Sequence, residues 1–183
     1  MGAIKNNFLL YASQSGNTEK VALALKDGFD RHGWHTTMRK LVGEDDAVMD
    51  DIVLEDYDFF CVGSPVIRAL PLPLVRRALS SRPRGRHKIV PGPKCGLVFC
   101  TYGGIHLGPK EAEPTLKLLE LELEHLKFKV IGSLAIPGAM GNLFTPEWYH
   151  GVMIDRPNQN DLERTKQWID DLLNEYEESG GKK

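Results

Sequence analysis

Six consecutive small, hydroxylated or amide residues, Ser13-Gln14-Ser15-Gly16-Asn17-Thr18, are the part of this 183-residue chain best equipped for chemistry. They follow a strand-like apolar run over residues 8–13 and open a segment with helical spacing. At such a junction backbone N–H groups and the positive end of the helix dipole converge, and a phosphate fits there without a lysine. Ser13, Ser15 and Thr18 can add hydroxyls and Asn17 an amide, while Gly16 lets the backbone approach the oxygens or take φ > 0. The same residue types also build an ordinary helix cap, with Ser15 or Asn17 as the cap and Glu19 in the first turn. Six of them in a row directly after a first strand tip the reading to a phosphate. Neither GxGxxG nor GxxxxGKS/T follows that strand.

The elements that must position this loop alternate regularly. Apolar runs rich in β-branched and aromatic residues fall at 8–13, 34–41, 57–63, 95–102 and 128–136, and amphipathic segments separate them, as in a parallel sheet covered by helices. Residues 18–32 place Val21, Ala22, Leu25 and Phe29 on one helical face, and His32-Gly33 supplies the stop. Further helices are expected over 71–80, 109–126 and 160–177, a long ordered loop over 137–157 and a frayed tail over 179–183. One domain of α/β class suits this length: a three-layer α/β/α sandwich around a doubly wound five-stranded parallel sheet in the order 2-1-3-4-5. Its ligand crevice opens beyond the carboxyl ends of strands 1 and 3, so the loops after strands 1, 3 and 4 matter most.

With those loops placed, residues 13–18 resemble the Ser/Thr-x-Ser/Thr-Gly-Asn-Thr phosphate loop of flavodoxins and flavodoxin-like oxidoreductases, which bind flavin mononucleotide (FMN). The resemblance implies FMN as cofactor. It also implies that the isoalloxazine ring lies between Gly63-Ser64-Pro65-Val66-Ile67-Arg68-Ala69-Leu70-Pro71 and Thr101-Tyr102-Gly103-Gly104-Ile105-His106-Leu107-Gly108. Gly63-Ser64-Pro65 resembles the Gly-Ser/Thr-Pro turn of multidomain flavodoxins and flavodoxin-like reductases, and Thr101-Tyr102-Gly103-Gly104 resembles their second loop. Tyr102 is then the expected stacking ring, and the amides of Gly103 and Gly104 the expected contacts at the pyrimidine end. Val66, Ile67 and Arg68 stand where a large aromatic often covers the ring; an aliphatic residue or the Arg68 guanidinium would cover it instead, with a less negative potential than a typical flavodoxin.

Arg68, Arg76, Arg77, Arg82, Arg84, Arg86, His87 and Lys88 lie in and after the first ring loop. They read either as a solvated basic stretch or as steering for an acidic redox partner or the phosphates of NAD(P)H. His106 is a weak candidate for a proton-transferring group at the flavin edge, and no catalytic residue is assigned. The segment 137–157, with Met140, Asn142, Phe144, Trp148, Tyr149 and His150, would either fold over the crevice or pack on the sheet edge.

A net charge of −2 and a pI near 6.3 give no global attraction to nucleic acid or an anionic membrane. No apolar stretch is long enough to span a bilayer and no leader sequence is apparent, which suits the cytoplasm. Cys61, Cys95 and Cys100 read as reduced core thiols, and no metal-ligand spacing occurs. Three functions fit: an electron carrier between protein partners, an NAD(P)H-dependent FMN reductase acting on a quinone or other small acceptor, and a non-enzymatic module for a phosphorylated ligand. A homo-oligomer fits the second.

Overall fold

A computed structural model describes residues 5–47, 49, 51–81, 94–104, 107–139 and 155–180. The basic stretch 82–88, His106 and residues 140–154 of the long loop lie outside the described residues, as do 181–183 of the tail. The strands are β1 (Asn6–Ala12), β2 (His35–Leu41), β3 (Phe59–Ile67), β4 (Leu70–Pro71), β5 (Lys94–Tyr102) and β6 (Phe128–Pro137). The helices are α1 (Asn17–Arg31), α2 (Pro73–Ser80), α3 (Glu113–His125) and α4 (Gln159–Glu178).

Strand β1 shows how the layers arise. Phe8, Leu10 and Ala12 point into one buried cluster with Val75 and Leu79 of α2 and Leu119 and Leu123 of α3. Leu9 and Tyr11, on the opposite face of the pleat, join Val21, Leu25 and Phe29 of α1 and Ile169 and Leu173 of α4. A strand apolar on both faces is stable only between two helix layers. The parallel strands run in the order β2-β1-β3-β5-β6, which is the expected doubly wound order with β5 and β6 as its fourth and fifth members. The helix α1 ends as expected at His32-Gly33: Gly33 N–H donates to the Asp30 carbonyl and Trp34 N–H to that of Phe29, a Schellman pair sealed by the Trp34 ring against Phe29.

Among the described residues the five parallel strands carry a sixth, short antiparallel one. The sequence Gly63-Ser64-Pro65-Val66-Ile67, expected as a loop, continues β3, with Ser64 paired to Cys100 and Pro65 to Thr101, and β4 folds back antiparallel with Val66 opposite Pro71 and Ile67 opposite Leu70. Extended-favouring Val66 and Ile67 carry the strand on, and Pro71 belongs to β4 rather than to the following helix. Ser64, fully buried, pins this extension: its hydroxyl accepts from Leu72 N–H at 2.8 Å and donates to the Pro65 carbonyl at 2.9 Å. Lower in β3, Gly63 lies directly under the ring of its β5 partner Phe99.

Arg68 and Ala69 join β3 to β4 with φ of 51° and 65°. Positive φ at both central residues is the pattern of a type I′ hairpin turn, usually filled by Asn-Gly. A side chain there costs about 1 kcal/mol per residue. Ala69→Gly should therefore stabilise the fold by about 0.5–1 kcal/mol, after the extra unfolded-chain entropy of glycine is offset. The effect is read as a higher urea midpoint at unchanged slope, and a lower midpoint would contradict it.

Candidate functional site

Residues 13–18 lie where β1 delivers the chain to α1. Gly16, at φ 86°, is the N-cap of α1 and brings no side-chain cap of its own. The cap by Ser15 or Asn17 that the sequence allowed is thus not formed. An α-helix starts with four unpaired N–H groups; only that of Glu19 receives a side-chain acceptor, Ser13 Oγ at 3.3 Å. Unpaired N–H groups at a helix start, with the dipole behind them, are what an anion would use.

The side chains around it hold the loop in place. Asn17 Nδ2 donates to the Ala139 carbonyl at 2.7 Å, and the Thr18 and Thr101 hydroxyls share a buried hydrogen bond of 2.8 Å. Thr18 is 1% exposed, so its hydroxyl braces the loop instead of entering the opening. Glu19, an unfavourable neighbour for an anion, is turned away: Tyr11 Oη donates to one of its oxygens at 3.0 Å and Lys40 Nζ to the other at 2.8 Å. The bonds from Lys40 and Tyr11 hold the Glu19 carboxyl below its ordinary range.

Burial, with the bond to Glu19 and its charge, pushes the Tyr11 hydroxyl from 10.0 up to about 12. An unfolded chain releases this proton first, so the stability tied to the neutral hydroxyl is complete below pH 10 and lost as pH rises through about 12. Tyr11→Phe should flatten the alkaline fall in stability over that window by about 2 kcal/mol. Denaturant melts at pH 9 and pH 11.5 measure it; parallel losses in both proteins would remove Tyr11 as the cause.

A cleft of ≈580 Å³ opens beside the loop. Gln14, Ser15 and Asn17 form one end, Pro65, Val66, Ile67, Arg68 and Ala69 one wall, and Thr101, Tyr102 and Gly103 the other. The three loops singled out in the sequence do converge. Ser13, Gly16, Thr18, Ser64 and Gly104 are not among the lining residues. Tyr102 lines the cleft and is 6% exposed, in one buried cluster with Cys100 and Ala112 and against Val66. The Gly104 amide is engaged as well, donating to Glu111 Oε2 at 2.9 Å. One lining residue, Glu111, was not reached from the sequence, whereas Leu107 belongs to the expected second ring loop and Gly138 and Ala139 open the segment 137–157, expected either over the crevice or on the sheet edge. Gly138 and Ala139 follow β6, whose register places Pro137 beside Tyr102, and so reach the cleft from the end of the fifth parallel strand.

The mouth of the cleft is apolar. Ile67 is 41% exposed, Leu70 on the adjoining strand 50% and Leu107 62%. Exposed Arg68 has no ion pair among the described residues, whereas Arg76 pairs with Glu122 at 3.9 Å and Arg77 with Glu44. The described part of the expected basic group thus reduces to Arg68 at the cleft. All three cysteines are buried, and burial pushes their thiols up, that of Cys100 to about 12, which leaves them core residues. Among the described residues no His, Cys, Asp and Glu cluster could hold a metal, and no helix is long and apolar enough to cross a membrane.

Compared with known proteins, the chain matches the family model described as Flavodoxin over residues 9–168. Among solved structures it is similar to an oxidised Flavodoxin 2 from Bacillus cereus, at 20% identity and a TM-score of 0.63 over 93% of this chain and 99% of that one. It is also similar to a WrbA-like flavodoxin from Agrobacterium tumefaciens, at 16% identity and a TM-score of 0.63 over 95% and 98%. A flavodiiron protein from Giardia intestinalis aligns at 18% identity and a TM-score of 0.58, over 91% of this chain and 35% of that one. No curated protein matches.

Proposed function

This chain belongs to the flavodoxin family, whose cofactor is flavin mononucleotide, and on that premise we propose that it carries electrons between protein partners. The donor set suits the cofactor. A helix start whose N-cap is a glycine would offer backbone N–H groups to a phosphate dianion, and an apolar-walled cleft beside it suits a flat ring. Ser15, Gly16, Asn17 and Thr18 would hold the phosphate through their amides. Pro65, Val66 and Ile67 on one side and Thr101, Tyr102 and Gly103 on the other would hold the ring. The bound flavin supplies one- and two-electron redox chemistry. The chain's own residues place it: the Thr18 and Thr101 bridge and the Asn17 bond to Ala139 set the loop, and the β3–β4 hairpin closes the far wall.

The observation that carries the carrier reading is that Ile67 and Leu107 line the cleft and stand exposed, with exposed Leu70 paired to Ile67 across the hairpin. Apolar side chains clustered on a rim suit the face of another protein, and Arg68 among them suits an acidic one. The same unpaired Arg68 favours the second reading, an NAD(P)H-dependent reductase, because a guanidinium also takes phosphates. Incubating the FMN-loaded protein with reduced nicotinamide and a quinone separates the two. Turnover well below about 1 s⁻¹ is expected of a carrier, and rapid quinone-dependent oxidation would instead establish a reductase.

A further inference from the structure

The phosphate loop is tethered to a part of the chain that lies well beyond it. Asn17 Nδ2 donates to the Ala139 carbonyl at 2.7 Å, and Ala139 N–H donates to the Arg156 carbonyl, also at 2.7 Å. The Arg156 guanidinium then grips Asp161 with Nε and Nη2, one on each carboxylate oxygen. Asp161 is 3% exposed and accepts a further bond from Asn158 N–H at 2.9 Å in the capping box of α4. A continuous series of directional bonds therefore joins the first residue of α1 to the first turn of α4. Burial raises the Asp161 carboxyl, but the bonds from Arg156 and Asn158 and the charges of Arg156 and Arg164 outweigh it and hold the group below its ordinary range.

We infer that Arg156 is a positioning residue for the phosphate end of the flavin site: its paired grip on Asp161 fixes the Arg156 carbonyl, which fixes the Ala139 peptide, which aims the Asn17 amide. The inference rests on the phosphate reading of residues 13–18. Its physical basis is the planarity of the Asn17 amide. With one N–H held by Ala139, the direction of the other is set, and Asn17 lines the cleft. A lysine at 156 keeps the charge but cannot hold two carboxylate oxygens in one plane, so it would leave the backbone at 156 and 139 less constrained. A merely structural Arg156, serving only the start of α4, would affect every ligand of the cleft alike.

The test is the affinity of the apoprotein for FMN and for riboflavin, which lacks the phosphate, measured by quenching of flavin fluorescence in wild type, Arg156→Lys, Asn17→Ala and the double variant. The wild type should prefer FMN. Arg156→Lys should weaken FMN about tenfold, the scale of one hydrogen bond to a charged group, while changing riboflavin by less than about twofold. On the Asn17→Ala background the lysine should add nothing further, since the relay ends at Asn17. Asp161→Asn, isosteric, should reproduce the FMN-selective loss should Arg156→Lys fold poorly. Equal weakening of both ligands, unchanged FMN affinity, or a full additional loss on the Asn17→Ala background would each overturn the role of Arg156. A wild type that binds riboflavin as tightly as FMN would instead overturn the phosphate reading beneath it.

Discussion

Alanine at position 63 should cost this protein about 3 kcal/mol or more of stability, since no space exists for a single added carbon. A Cβ there would lie 2.1 Å from Phe99 Cζ, with two further ring atoms at 2.3 and 2.6 Å. Phe99 is fully buried and cannot swing into solvent, and it lies among Tyr11, Val21, Leu25 and Ile169 in a core packed against α1 and α4. Relief requires β3 and β5 to separate or the ring to leave its rotamer, and overpacking of this kind typically costs 1–3 kcal/mol when the surroundings can give. For a chain of this length that is a fall of about 10 °C in melting temperature. The conflict is between a methyl and a ring, so Phe99→Leu in the same chain should restore part of the loss. A fall below about 2 °C for Gly63→Ala alone would show that the strands move apart more readily than this packing implies.

Valine in place of Gly16 should abolish useful FMN binding while the fold survives. Gly16 stands at φ 86°, a conformation that a β-branched residue adopts only under strain of about 1–2 kcal/mol. Among the described residues no atom lies within 4 Å of a Cβ built at this position. The damage is therefore to backbone geometry and to the approach of an anion, not to packing. Either the loop relaxes and its N–H groups diverge, or it holds and the isopropyl group stands at the mouth of the anion site. Both outcomes should weaken FMN about a hundredfold or more, at the scale of two bonds to a charged group, with riboflavin affected much less. The readouts are flavin quenching for affinity and a thermal melt for the fold; FMN binding within about threefold of wild type would remove Gly16 from the phosphate site.

Much of this was legible in the chain because local patterns carried it. The alternation of Phe8, Leu10 and Ala12 against Leu9 and Tyr11 calls for two helix layers wherever the strand is placed, and the helical face of Val21, Ala22, Leu25 and Phe29 supplies one of them. The loop joining β1 to α1 was legible as a strand-to-helix junction because its residues are contiguous. What was not legible depended on partners distant in sequence. Gly63 to Ile67 reads as Gly-Pro punctuation, yet it becomes strand because β5 lies alongside to pair with it. Tyr102 reads as a free aromatic until Ala112 and Val66 close over it. Arg76 and Arg77 read as free cations until Glu122 and Glu44 arrive from other elements. The Gly104 amide reads as open until a carboxylate seven residues ahead takes it.

The hydroxyl bridge between Thr18 and Thr101 and the amide anchor from Asn17 to Ala139 have a thermodynamic consequence for loading. Both are formed by protein groups alone, so neither would need a ligand to hold the loop in place. Little ordering entropy then remains to be lost on binding, and affinity follows more directly from the contacts made. Such a scaffold is stabilised by its ligand chiefly through mass action, by about 4 kcal/mol when free ligand stands a thousandfold above its dissociation constant. The lifetime of the chain would then track the supply of flavin, with emptied molecules the first to meet proteolysis.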